Sequence, residues 1–93
     1  MTAVTPESAW RLHPQVSVRP EAFGALLYHF GTRRLSFLKD RTLLAVVEHL
    51  PDAASARDAC QSAGVAEEQL PRYLGALGTL AESLMLVERE AVQ

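Results

Sequence analysis

Ninety-three residues with 48% apolar content are enough for one small folded domain and too few for two. The net charge is only −2, but it is unevenly spread: residues 1–41 hold six Arg and Lys against three carboxylates, a balance of +3, and residues 42–93 hold three Arg against eight, a balance of −5. Cys60 is the single cysteine, which excludes an internal disulfide and a Cys-cluster metal site and fits a reducing compartment. No stretch approaches the roughly 18 uncharged apolar residues of a membrane span. The first eight residues lack the basic flank and apolar run of a signal peptide. The expected location is therefore the cytoplasm, without a membrane partner.

Residues 1–9 are small and polar and are expected as a flexible tail. From Trp10 to Val18 the chain alternates: Trp10, Leu12, Val16 and Val18 take one side, and Arg11, His13, Gln15, Ser17 and Arg19 the other. This predicts a first strand, with Pro14 marking an edge, a bulge or an irregular start. Pro20-Glu21 turns the chain into a hairpin spanning residues 23–38. Gly31-Thr32 is expected as its two-residue connection, Gly31 supplying the positive φ of a II′ turn. The third strand, residues 33–38, opens with two arginines; Arg33, Leu35 and Phe37 should share one face and Arg34, Ser36 and Leu38 the other. At a sheet edge its backbone could accept another strand.

Helices follow. Asp40 is a candidate N-cap, Leu43, Leu44, Val46, Val47 and Leu50 form a buried stripe, and Pro51 ends the first helix. Asp52 is a possible second cap for an alanine-rich helix at 53–63, which Gly64 would close in the left-handed conformation. The longest helix is expected at 67–84, with Leu70, Tyr73, Leu74, Leu77, Leu80 and Leu84 at helical spacing and Pro71 near its first turn. Residues 85–87 can form a last short strand. The expected fold is α+β and winged-helix-like, a three-stranded antiparallel sheet followed by three helices. The domain is expected at 10–88, with a short tail at 89–93.

Catalytic chemistry finds no support. His13, His29 and His49 have no ligand-like spacing, Cys60 sits in an apolar setting that makes it a small core residue, and no phosphate-binding glycine loop is present. Neither an enzyme nor a bound cofactor or metal is expected. Trp10 is expected to anchor the first strand in the core. Tyr73 either completes its helix stripe or lines a groove with its hydroxyl at the rim. Arg33 and Arg34 either discourage edge-to-edge aggregation or bind an acidic segment. Residues 56–65 and the helix after them resemble a helix-turn-helix, yet that helix opens with Glu67 and Glu68, and two carboxylates would repel phosphates. DNA binding and a structural protein–protein interaction module are therefore the alternatives to a binding adaptor.

Residues 11–16, 18–34 and 33–39 closely resemble the peptide-chaperone family of the mycofactocin biosynthesis system, within the PqqD-like group of recognition elements for ribosomally made, modified peptides. The segment Val18-Arg19-Pro20-Glu21-Ala22-Phe23-Gly24-Ala25-Leu26-Leu27-Tyr28-His29-Phe30-Gly31-Thr32-Arg33-Arg34 is its specific part. The resemblance runs from about Trp10 to Glu88. It implies a bacterial, non-enzymatic adaptor that binds the leader of a precursor peptide and presents it to a radical S-adenosylmethionine maturase. It further implies that the leader adds a strand beside the third strand, in a groove bordered by the last helix. The implied peptide-binding residues are Arg33, Arg34, Leu35, Ser36, Phe37, Leu38, Leu70, Tyr73, Leu74 and Leu77. The family's leader is acidic, which matches the two arginines in sign. On this reading Ser36→Pro should break the edge that the peptide uses.

Overall fold

The structure, a computed structural model, describes residues 4–89. The parts of the two expected tails at 1–3 and 90–93 lie outside the described residues. Among the described residues, five strands and three α-helices follow in the order β1 (Trp10–Leu12), β2 (Val16–Glu21), β3 (Gly24–His29), β4 (Leu35–Leu38), α1 (Arg41–His49), α2 (Ala56–Ser62), α3 (Leu70–Glu82) and β5 (Leu86–Glu88). Strands β2, β3 and β4 form an antiparallel sheet with β3 central, and β1 pairs antiparallel with β5 as a separate ribbon. The architecture is a three-stranded antiparallel sheet followed by helices, the winged-helix-like α+β fold expected from the sequence.

The alternating stretch from Trp10 to Val18 is not one strand. It breaks at Pro14-Gln15, where the Val16 N–H returns to the His13 carbonyl and the Gln15 N–H donates to Nδ1 of His13. Pro14 has no N–H to donate, and the two halves go to different partners: Trp10 faces Glu88 on β5, and Val16 faces His29 on β3. Pro20-Glu21, expected to turn the chain, instead continues β2 opposite Ala25 and Gly24, where an edge strand tolerates proline, and the turn falls at Ala22-Phe23. Period-two alternation records which side is buried and not which strand is the neighbour. Residues 4–9, expected as tail, lie along α2: Val4 is buried, Ser8 accepts the Ala56 N–H and Pro6 accepts the Arg57 N–H.

The core lies between the inner face of the sheet and the helices. Ala25, Leu27 and Leu38 supply the sheet side, and Val46, Val47, Leu50, Cys60, Leu77 and Leu80 the helix side, with Trp10 and Leu86 closing it from the ribbon. Trp10 anchors its strand as expected; its indole N–H donates to Ser8 Oγ at 2.7 Å. Burial raises the pKa of Cys60, which keeps it a thiol and an inert core residue. Gly24 opens β3 at φ 151, and a Cβ there would lie 1.9 Å from the Leu38 carbonyl oxygen. Only glycine lets β3 and β4 meet at that corner.

Asp40 caps α1 through Thr42, as expected. Pro51 falls in a 3-10 turn, Leu50–Asp52, that closes α1. The cap of α2 is Ser55 and not Asp52, and α2 is correspondingly shorter than the alanine run. Gly64 takes φ 86 after α2. The expected 67–84 helix is a 3-10 turn at Glu67–Gln69 leading into α3, with Pro71 in the first turn, where a missing N–H costs nothing. Leu84 then ends α3 in the left-handed conformation, φ 64, with the Met85 N–H reaching back to the Leu80 carbonyl. That closure normally takes glycine.

Candidate functional site

The predicted third strand is β4, and it is the sheet's edge: β3 pairs it on one side, and no described strand pairs it on the other. Hydrogen bonding alternates along an antiparallel pair. The His29 N–H donates to the Arg34 carbonyl at 2.9 Å, which makes 29 with 34 a bonded pair. The same alternation makes Leu27 with Ser36 and Ala25 with Leu38 bonded pairs. The N–H and C=O groups of Leu35 and Phe37 therefore point outward to the free edge. Ser36→Pro would break the ladder to β3 rather than the free edge, and position 37 is the clean test.

The loop leading into β4 is not a two-residue II′ turn. Residues 30–33 form a four-residue loop closed by the Arg33 N–H on the His29 carbonyl at 2.7 Å. Arg33, at φ 62, occupies the left-handed position, and Gly31 does not. Gly31 sits close to its neighbours: a Cβ there would lie 2.9 Å from Cε1 of the buried His29 and 2.4 Å from Oε1 of Gln15, an exposed side chain that can swing away. His29 organises this loop. It is buried, and its Nδ1 accepts the N–H groups of Gly31 at 3.0 Å and Thr32 at 3.1 Å. Both loop N–H groups thus converge on one ring nitrogen. Its sequence gave no sign of this role, because a loop-holding histidine and an ordinary strand histidine read alike.

Arg33 and Arg34 are exposed and, among the described residues, make no ion pair. Leu35 and Phe37 are 54% and 58% exposed on the outer face; Ser36 is half-buried and Leu38 fully buried on the inner face. Between the entry to β4 and the C-terminal end of α3 lies an open cleft of about 340 Å³, lined by Thr32, Arg34, Glu82, Ser83 and Leu84. The other end of β4 is tied to the same helix. The Tyr73 hydroxyl donates to Asp40 Oδ2 at 2.7 Å, while Asp40 Oδ1 accepts the Thr42 N–H at 2.8 Å. The Tyr73 bond lowers the Asp40 pKa; burial opposes it, and the Thr42 and Leu43 N–H groups and the Arg72 charge add to it. The same bond, with burial, raises the Tyr73 pKa.

Tyr73 and Ser83 thus mark the side of α3 turned toward β4, and helical period places Ala76 and Leu80 between them. Leu70 and Leu77 are buried in the core and Leu74 packs half-buried against it, on the neighbouring strip of the helix. The sequence stripe identified what α3 buries; it did not separate the strip facing β4 from the strip facing the rest of the core. Glu82, Ser83 and Leu84 were missed as cleft residues because a polar helix end carries no periodic signal. At the start of the α3 segment, Glu67 and Glu68 are exposed and Arg57 is held by Glu7 and Glu67, which leaves Arg72 as the single unpaired cation there, among the described residues, to attract a phosphate backbone. No group of three or more His, Cys, Asp or Glu that could hold a metal ion occurs among the described residues, and no described helix is long and apolar enough to cross a membrane.

The model of the peptide chaperone MftB family matches residues 9–87. The peptide chaperone MftB of Mycobacterium ulcerans is 60% identical over 91 residues, covering 98% of this chain and 84% of the relative. That of Mycobacterium tuberculosis is 62% identical over 85 residues, covering 91% and 78%. That of Mycolicibacterium smegmatis is 62% identical over 82 residues, covering 88% and 80%. No solved structure matches at a significant level. With most of its length matched by the family model and by these relatives, the chain belongs to the peptide chaperone MftB family, a family of chaperones and not of enzymes.

Proposed function

We propose that this chain binds the acidic leader of a ribosomally made precursor peptide as an extra strand along β4 and delivers the peptide to a radical S-adenosylmethionine maturase. The observation that carries the reading is the free β4 edge, with the backbone groups of Leu35 and Phe37 directed outward beside an open cleft. Ladder bonds to that edge supply attachment that does not depend on peptide side chains. Every second peptide side chain then turns inward, toward Arg34 and Leu84 at one end of the cleft and toward the Tyr73 side of α3 at the other. Apolar anchors there supply most of the affinity.

Electrostatics sets the sign of the partner. Among the described residues, Arg33 and Arg34 stand without carboxylate partners at the entry to β4, and an acidic chain would neutralise them. Backbone strain points to the same place. The two non-glycine residues with positive φ among the described residues, Arg33 and Leu84, lie beside or in the two walls of the cleft. Strain of about 1–2 kcal/mol per such residue is kept where a side chain is needed. Holding the leader raises the local concentration of the peptide's far end at the enzyme, and the chaperone needs no chemistry of its own.

Amide mapping tests this. On adding the precursor peptide, the N–H groups of Leu35 and Phe37 should shift and gain protection from exchange, while Ser36, already bonded within the sheet, changes little. Protection confined to β2 would remove strand addition at β4.

A further inference from the structure

Strand addition uses the edge of β4 and its inner side. It leaves the outer face of the sheet uncovered. Cross-strand register puts Arg19, Leu26 and Phe37 in one row of that face and Ser17, Tyr28 and Leu35 in the next. Phe23 extends the first row, its ring 6.3 Å from Phe37, and Phe30 the second, edge-on to Tyr28 at 4.9 Å. Of the large hydrophobic residues exposed among the described residues, Phe23, Phe30, Leu35 and Phe37 lie here and only Leu84 lies elsewhere. With exposures of 45–60%, these four side chains present on the order of 400 Å² of apolar surface, as large as the functional patches of typical monomers.

The rim of this face is basic. Arg33 precedes β4 near Leu35, Lys39 follows Leu38, and Arg41 donates to the Ala22 carbonyl next to Phe23, whereas Arg34 belongs to the inner side and lines the cleft. Arg19 lies on the face itself, and the nearby carboxylate, Glu21, is paired with it at 3.2 Å. A second copy docked face to face would set these cations against one another, at a cost of several kcal/mol for close like charges. The complementary surface is apolar and bordered by Asp and Glu. Among the described residues, the acidic half of this chain has no comparable exposed apolar cluster.

We infer that the outer face of the β2–β3–β4 sheet is the surface on which the chaperone docks the enzyme receiving its peptide, through an apolar patch of that enzyme bordered by carboxylates. The inference rests on the strand-addition reading. An added strand would continue this face, with alternate peptide side chains beside Leu35 and Phe37, so one enzyme surface would touch chaperone and peptide together.

The test uses the full chain and the purified radical S-adenosylmethionine maturase, titrated first without and then with the precursor peptide. Phe23→Ser with Phe30→Ser removes two exposed rings outside the strands. This variant should bind the maturase at least tenfold more weakly, with an unchanged melting temperature and unchanged peptide affinity. Arg19→Glu reverses the charge on the face and should weaken maturase binding more at low than at high salt. Unchanged maturase affinity in both variants overturns the assignment. So does a parent dimer that the double Phe variant dissolves, which would make a second copy the occupant. Binding of the parent to vesicles containing phosphatidylserine, lost in the double Phe variant while maturase affinity holds, overturns it in favour of a lipid surface. If the parent fails to bind the precursor peptide, strand addition falls; the arm without peptide still decides whether this face docks the enzyme.

Discussion

Arg33 and Leu84 hold backbone conformations that glycine would hold at less cost. Replacing either with glycine should raise stability by about 1 kcal/mol, an increase of roughly 4–8 °C in melting temperature for a domain of this size. The same changes should weaken the binding of an acidic peptide, Arg33→Gly through charge and Leu84→Gly through lost apolar contact. Calorimetric melting and peptide titration on the same samples check both halves; a variant that gains stability and keeps full affinity would remove that side chain from the site. Tyr73 and Asp40 carry a pH-dependent contribution. The folded-state pKa of Asp40 lies below its unfolded value of 3.8, so its stabilisation is present above that pH and is lost as pH falls through the folded value. That of Tyr73 lies above 10.0, so its contribution is present below pH 10 and is lost as pH rises through the folded value. Tyr73→Phe should cost about 1.5–3 kcal/mol at neutral pH, as for a hydrogen bond to a charged group, and should flatten the loss of stability at both extremes. Denaturant melts from pH 2 to pH 11 measure this.

At the scale of the element, β4 is defined by what it leaves unpaired. Phe37→Pro removes one outward N–H and leaves the ladder to β3 intact, whereas Phe37→Ala removes only the side chain. The proline variant should lose about tenfold or more in peptide affinity relative to the alanine variant, as expected for one backbone bond and the bulk of the ring at the edge. Equal affinities would place the peptide elsewhere. The hairpin, the Asp40 cap, the stop near Pro51, the left-handed Gly64 and the last short strand were all legible in the chain, because each rests on local chemistry. The division of residues 10–18 between two sheets was not, since it depends on β5 pairing with β1 from the far end of the chain. Nor was the four-residue loop before β4. A Gly-Thr pair suggests a tight turn, and only the folded His29, with its ring collecting two loop N–H groups, shows why the turn is wider and why Gly31 is there. The candidate site was legible as an edge carrying two arginines. Its opposite wall was not, because the buried stripe of α3 hides which of its flanks looks across at β4.

Across the whole molecule, residues 1–41 carry a balance of +3 and residues 42–93 a balance of −5, and the arginines at the entry to β4 belong to the basic part. Their effect on an acidic peptide acts through solvent and is screened over about 10 Å at 0.1 M salt. Arg33→Glu with Arg34→Glu should therefore weaken binding strongly at low salt and much less near 1 M, with association rate more affected than dissociation. An equal loss at all ionic strengths would indicate a steric or folding effect at the loop. The central claim is that this chain recognises one peptide and does so by its sequence. Isothermal titration of the full chain with the acidic precursor peptide, against a scrambled peptide of equal charge, measures it directly. Saturable one-to-one binding of the true precursor, with the scrambled peptide at least tenfold weaker, is the predicted result; equal binding of the two peptides, or binding of neither, would contradict it.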